Sequence, residues 1–142
     1  MKDTSKITVH ASIKAPVQKV WKLWTTPEHI IKWNNAIEEW HTPAAVNDLH
    51  AGGKFLYRME AKDGSNGFDF SGTYTEIRTY ELIDYTLDDD RRVTIAFNGS
   101  DSETSIVESF ETENVNPVTM QQAGWQAILD NFKKYVETFN EL

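Results

Sequence analysis

The sequence predicts an α+β fold: a curved antiparallel sheet of about six to seven strands wrapped on a long C-terminal helix, with two short helices after the first strand. Three observations carry this. From Thr119 to Phe139, the residues Trp125, Ile128, Leu129, Phe132, Tyr135, Val136 and Phe139 recur at steps of three and four, one apolar stripe of an α-helix. Between Ile7 and Phe110 most segments alternate apolar and polar residues with period two, as half-buried strands do. Short polar links join those segments and imply antiparallel pairing. A sheet of this size curls, and its concave face needs a cover. The final helix, about 31 Å long at 1.5 Å per residue, is the only segment fit to provide it.

Taken in order, Ile7, Val9, Ala11 and Ile13 alternate with Thr8, His10, Ser12 and Lys14, which predicts a strand with His10 on its polar face. Pro16 opens a helix carrying Val17, Val20, Trp21 and Trp24. Thr26-Pro27-Glu28 repeats the start signal, with the Thr26 hydroxyl as N-cap, and Ile30, Ile31 and Trp33 give that second helix its apolar contacts. Residues 34–42 read as irregular. Trp40 is placed there, in the core or at the mouth of a pocket. Val46–His50 reads as a short strand, and Gly52-Gly53 as a turn or bulge. Phe55, Tyr57 and Met59 predict the next strand, Asp63–Gly67 a hairpin loop, and Phe68, Phe70, Gly72 and Tyr74 the strand after it. Gly72, on the apolar face, leaves room where the sheet meets a helix or a ligand. Ile83, Tyr85 and Leu87 mark another strand, ended by Asp88-Asp89-Asp90. Val93, Ile95 and Phe97 mark one more, with Asn98-Gly99 as its turn. Thr104–Phe110 is the last strand, and Asn114–Pro117 breaks the pattern before the helix. Gln121, Gln122 and Gln126 fall on the helix's polar side.

The 142 residues fit one domain, residues 1–142, with no linker or repeat to divide it. The chain has no cysteine and its first residues lack a signal-peptide run, which fits a cytoplasmic home. No stretch is long and apolar enough to span a bilayer, so no membrane partner is expected. A formal charge of −8 repels phosphate backbones and argues against nucleic acid. Five Trp, five Tyr and seven Phe either fill a core or line a cavity, and the same alternation produces both.

Several stretches are similar to one known family. Ala15-Pro16-Val17 with Val20-Trp21 and Trp24-Thr25, then Thr26–Trp33, resemble the opening signature of the AHSA-type family, homologues of the C-terminal domain of a heat-shock chaperone ATPase activator. Gly52-Gly53-Lys54-Phe55 and Gly72–Ile77 resemble its middle strands, and Ala123–Leu129 with Phe132 and Tyr135 its closing helix. The resemblance covers nearly the whole chain in the right order. It implies the helix-grip, START-like fold, in which the long helix and the concave sheet enclose a hydrophobic cavity. Many members are small stand-alone bacterial proteins. The activator has a separate N-terminal domain, for which this chain leaves no room, so chaperone interaction is the disfavoured reading.

Motifs of catalysis are absent: no Gly-x-Ser-x-Gly, phosphate loop, dinucleotide glycine pattern or His-Glu-x-x-His occurs. His10, His29, His41 and His50 lack ligand spacing, and Asp88-Asp89-Asp90 lacks the glycine and spaced final acid of a calcium loop, so no metal or cofactor is expected. The leading expectation is a ligand-binding module. A small hydrophobic or aromatic molecule would sit among Trp33, Trp40, Phe55, Tyr57, Phe70, Tyr74, Phe97, Trp125, Leu129 and Phe132. The alternatives are an enzyme of the cyclase or hydrolase kind using the same cavity, or a protein-interaction domain. Tyr57, Tyr74, Tyr85, His41, His50 and Glu108 are the polar groups on predicted inward faces or the rim. No pair stands out as a base with its orienter, so no catalytic residue is assigned. The sequence sets no oligomeric state.

Overall fold

A computed structural model describes residues 6–139. The elements run β1 (Lys6–Ile13), α1 (Val17–Thr25), α2 (Pro27–Trp33), β2 (Trp40–Asn47), β3 (Lys54–Ala61), β4 (Gly67–Arg78), β5 (Leu82–Leu87), β6 (Arg92–Gly99), β7 (Thr104–Glu111) and α3 (Val118–Thr138). The strands form one curled seven-stranded sheet in the order β1-β7-β6-β5-β4-β3-β2. Every pairing is antiparallel. Strands β2 to β7 are a meander, and β1 closes the far edge by pairing with β7.

The predicted inward faces of β1 and β7 are buried residue by residue: Ile7, Val9, Ala11 and Ile13 on one, Ile106, Glu108 and Phe110 on the other. Helix α3 covers this concave side. Leu129, Phe132 and Val136 are fully buried, and Trp125 stacks on Phe110 of β7 at 3.9 Å between ring centres. The two short helices brace the C-terminal half of α3. Trp24 and Trp33 meet the Phe132 ring at 4.7 and 4.8 Å, and the His29 Nδ1 and the Tyr135 hydroxyl share a hydrogen bond of 2.7 Å. Among the described residues, no helix is long and apolar enough to cross a membrane.

Four local expectations are corrected. Residues 40–47 are strand rather than irregular, so the second strand starts earlier than the Val46–His50 reading. Its alternation is hidden because the register slips between His41 and Ala44. Asn98-Gly99 is not a turn; both residues pair within β6 and β7, and the chain reverses at residues 100–103. A Cβ on Gly99 would lie 2.3 Å from Val17 Cβ, so the glycine is there for close approach to α1. Gly72 likewise makes room for neither helix nor ligand: a Cβ there would meet the Thr86 carbonyl at 2.6 Å and the Phe55 ring at 3.1 Å. Thr26 holds the N-cap position of α2, with Pro27 at the first turn, but its hydroxyl makes no capping bond.

Candidate functional site

Alternation along three neighbouring strands builds one wall of a cavity. Tyr57 and Met59 of β3, Phe68, Phe70 and Tyr74 of β4, and Ile83 and Tyr85 of β5 all face it. Tyr57 lies opposite Phe70, Met59 opposite Phe68, and Tyr74 opposite Tyr85, so the rings form paired rows. The other wall is α3, through Met120, Gly124, Trp125 and Ile128, joined by Trp24, Trp33 and Asn34 from the short helices and their exit. The cavity, open to solvent on one side, has a volume of about 360 Å³. Exposed Phe68 and Met120 mark its mouth, one on the sheet and one on the helix.

The polar groups inside are few. Tyr74 donates to Asn47 Oδ1 at 2.6 Å, and Asn47 Nδ2 in turn donates to the Thr25 carbonyl at 2.7 Å, which ties the sheet to the end of α1. Gln121 is buried and latches the segment before α3: its Oε1 accepts from the Glu113 N–H at 3.0 Å, and its Nε2 donates to the Glu113 and Asn116 carbonyls at 3.1 and 2.8 Å. Arg91, in the turn between β5 and β6, gives its Nε to the Asp89 carboxylate at 2.8 Å. Glu108 stands apart. It faces the cavity from β7, flanked by Val9 and Ile95, and is 5% exposed. Among the described residues its carboxyl has no hydrogen-bond partner. Burial pushes its pKa from 4.5 to about 8, so near neutrality it is a neutral acid able to donate a proton in a hydrogen bond. Burial also holds the Tyr57 and Tyr85 hydroxyls well above their usual range, and the Glu108 charge adds to the effect on Tyr85. Tyr74 is pushed up to about 12, again mainly by burial. The arrangement offers rings for an apolar body and, deep inside, an acid with phenols in electrostatic reach for a polar head.

Residues 14–137 match the family described as activator of Hsp90 ATPase homolog 1-like protein. The chain belongs to this AHSA1-like family. It is similar to a solved AHSA1-like protein from Aeromonas hydrophila, with 39% identity over 97% of this chain and 99% of the other, at a TM-score of 0.86. A protein from Cytophaga hutchinsonii shares 51% identity over 96% of this chain and 97% of its own, at 0.81. One from Chromobacterium violaceum shares 25% over 95% and 99%, at 0.79. No curated protein matches the chain.

In this AHSA1-like chain the ten residues expected to line the cavity divide into two groups. Trp33, Tyr57, Phe70, Tyr74 and Trp125 do line it. Phe55, Phe97, Leu129, Phe132 and Trp40 do not. Phe55 is packed behind the wall, its ring 4.8–5.2 Å from those of Tyr57, Tyr74 and Tyr85. Phe97 fills the space under α1 between Trp21 and Trp24. Leu129 and Phe132 lie lower on α3, where the short helices close over them. Trp40 packs against the wall residue Phe68 at 6.0 Å but does not line the cavity, and borders instead a separate surface hollow with Glu39 and Lys62. Of the polar candidates, Tyr57, Tyr74, Tyr85 and Glu108 line the cavity; His41 does not, and His50 is exposed beside Asp48. Gln121, read as polar-face, is a buried wall residue, because the segment before the helix folds back on it. Met59 and Phe68 could have been found from their alternation with Tyr57 and Phe70, and Ile128 from its place on the stripe. Arg91 carried no signal, since only the turn geometry aims it inward. Among the described residues no group of acids and histidines could hold a metal ion.

Proposed function

We propose that this chain binds a small apolar molecule, at least partly aromatic, between α3 and the sheet. One observation carries the reading: a ring-walled cavity of about 360 Å³ reaches a buried acid, Glu108, whose carboxyl has no hydrogen-bond partner among the described residues. The volume lies within the range of roughly 300–1,000 Å³ common for ligand pockets. The charge of −8 leaves nucleic acid disfavoured, and a cysteine-free chain suits a cytoplasmic setting. Calorimetric titration with 4-phenylbutan-1-ol tests the proposal. Saturable binding supports it, and the absence of binding by that probe and by its charged analogues removes it.

Glu108 also favours a second reading, an acid–base enzyme on the same cavity. An acid with a pKa of about 8 near the Tyr85 hydroxyl suits proton transfer to a bound carbonyl compound. In that case turnover would depend on Glu108 and show an apparent pKa near that value. The family takes its name from an activator of the Hsp90 ATPase. For this chain that role is a separate proposal, which stimulation of the ATPase by the purified protein would support.

A further inference from the structure

We propose that the occupant is a hydrophobic amine, an apolar body ending in an ammonium group seated on Glu108. The inference rests on the binding reading above and narrows it to one head group.

The charge inventory of the wall points there. Among the described lining residues, only Arg91, Glu108 and Glu113 are basic or carboxylic. Arg91 is already answered by Asp89 at 2.8 Å. Glu113 Oε1 accepts from the backbone N–H and the Nδ2 of Asn116 at 2.8 and 2.7 Å. Glu108 has no such partner among the described residues, so the unanswered group is an acid. A carboxylate ligand could accept the one proton of the neutral acid, but it would bring further negative charge to a chain of net charge −8 and give the ionised acid nothing to pair with. An alcohol would give it one hydrogen bond. An ammonium supplies both the opposite charge and the donors. The rings add to this. Phe70 stands edge-on to Trp125 at 6.0 Å and stacked with Tyr57 at 6.2 Å, and aromatic faces attract cations.

Glu108 is the group on this wall that titrates near neutrality. Its strand neighbours Val9 on β1 and Ile95 on β6 carry no titratable group. From β3, β4 and β5 it faces Tyr57, Tyr74 and Tyr85, all held neutral by burial. From α3 it faces Gln121, Gly124, Trp125 and Ile128, none of them titratable. The charged neighbours are Arg91, in its ion pair, and Glu113 at the segment before α3. Because burial keeps the proton on Glu108 up to about pH 8, docking an ammonium must expel it. The neutral carboxyl loses its proton to solvent, and the carboxylate left behind pairs with the incoming cation. Affinity for an amine then rises with pH, by up to about tenfold per unit, and levels off above pH 8.

Three probes with one body separate the possibilities: 4-phenylbutylamine, 4-phenylbutan-1-ol and 4-phenylbutyrate. Each is titrated calorimetrically at pH 6, 7 and 8, in two buffers of different ionisation enthalpy. The amine should bind most tightly, with close to one proton released per molecule bound at pH 6. In Glu108→Gln, which is isosteric with the protonated acid, the amine should lose its advantage over the alcohol and its pH dependence. A melting curve of the variant at pH 6 checks that it is folded. The alcohol or the butyrate binding as tightly as the amine, or an amine preference that survives in Glu108→Gln, overturns this inference and leaves the cavity reading standing. Binding by none of the three overturns both.

Discussion

Replacing Glu108 by Gln should make the protein markedly less sensitive to rising pH. The wild-type carboxyl titrates near 4.5 when unfolded and near 8 when folded, because burial penalises its charge. For an acid shifted upward, the folded state holds a proton that the unfolded state has given up. Stability is therefore complete below the unfolded value, falls as pH rises between 4.5 and 8, and is flat above that. At about 1.4 kcal/mol per pH unit, the loss between pH 5 and pH 7 is about 2–3 kcal/mol, and between pH 5 and pH 9 about 4 kcal/mol. Gln cannot ionise, so the variant escapes this loss. Urea denaturation of both proteins at pH 5, 7 and 9 measures it, and subtracting one from the other cancels all other titrating groups. In melting temperature, the difference that opens between pH 5 and pH 7 is roughly 10 °C. Parallel pH profiles would mean instead that the carboxyl is solvated in the folded protein and that burial does not hold its proton.

Other variants test the architecture. A Cβ on Gly124 meets no atom within 4 Å, and the residue lines the cavity. Gly124→Leu should keep or raise the melting temperature, by about 0.5–1 kcal/mol of helix propensity, and abolish binding of 4-phenylbutan-1-ol. Gly72→Ala should destabilise by about 1–3 kcal/mol through collision with the Thr86 carbonyl and the Phe55 ring, measured by urea midpoint. Phe132→Ala removes a fully buried ring wedged between Trp24 and Trp33, and should cost about 3–5 kcal/mol in the same assay.

The fold was legible because two periods dominate the sequence. Ile7 to Ile13 repeats every second residue and Trp125 to Phe139 every three to four, and each period admits one kind of element. What was lost is whatever depends on tertiary contact. Trp40 looked irregular because the β2 register slips at His41. Asn98-Gly99 mimics a turn, yet its glycine answers to Val17 across the fold. The site was half legible for the same reason. Alternation identifies residues that face inward, such as Tyr57, Phe70, Tyr74 and Glu108. It does not say how deep they lie, so Phe55 and Phe132 shared the pattern while packing solid. Arg91 and Gln121 reach the cavity through a turn and a folded-back segment, and neither geometry is written in a local pattern.

Ligand binding requires that the space between α3 and the sheet open to a small molecule, and a titration with 4-phenylbutan-1-ol followed in ¹H–¹⁵N correlation spectra reports on that space residue by residue. Saturable shifts should gather on Phe70, Tyr74, Tyr85, Glu108, Gly124 and Trp125. Shifts that fail to saturate, or that gather on the outer face of the sheet around Thr8 and Ser109, would contradict it.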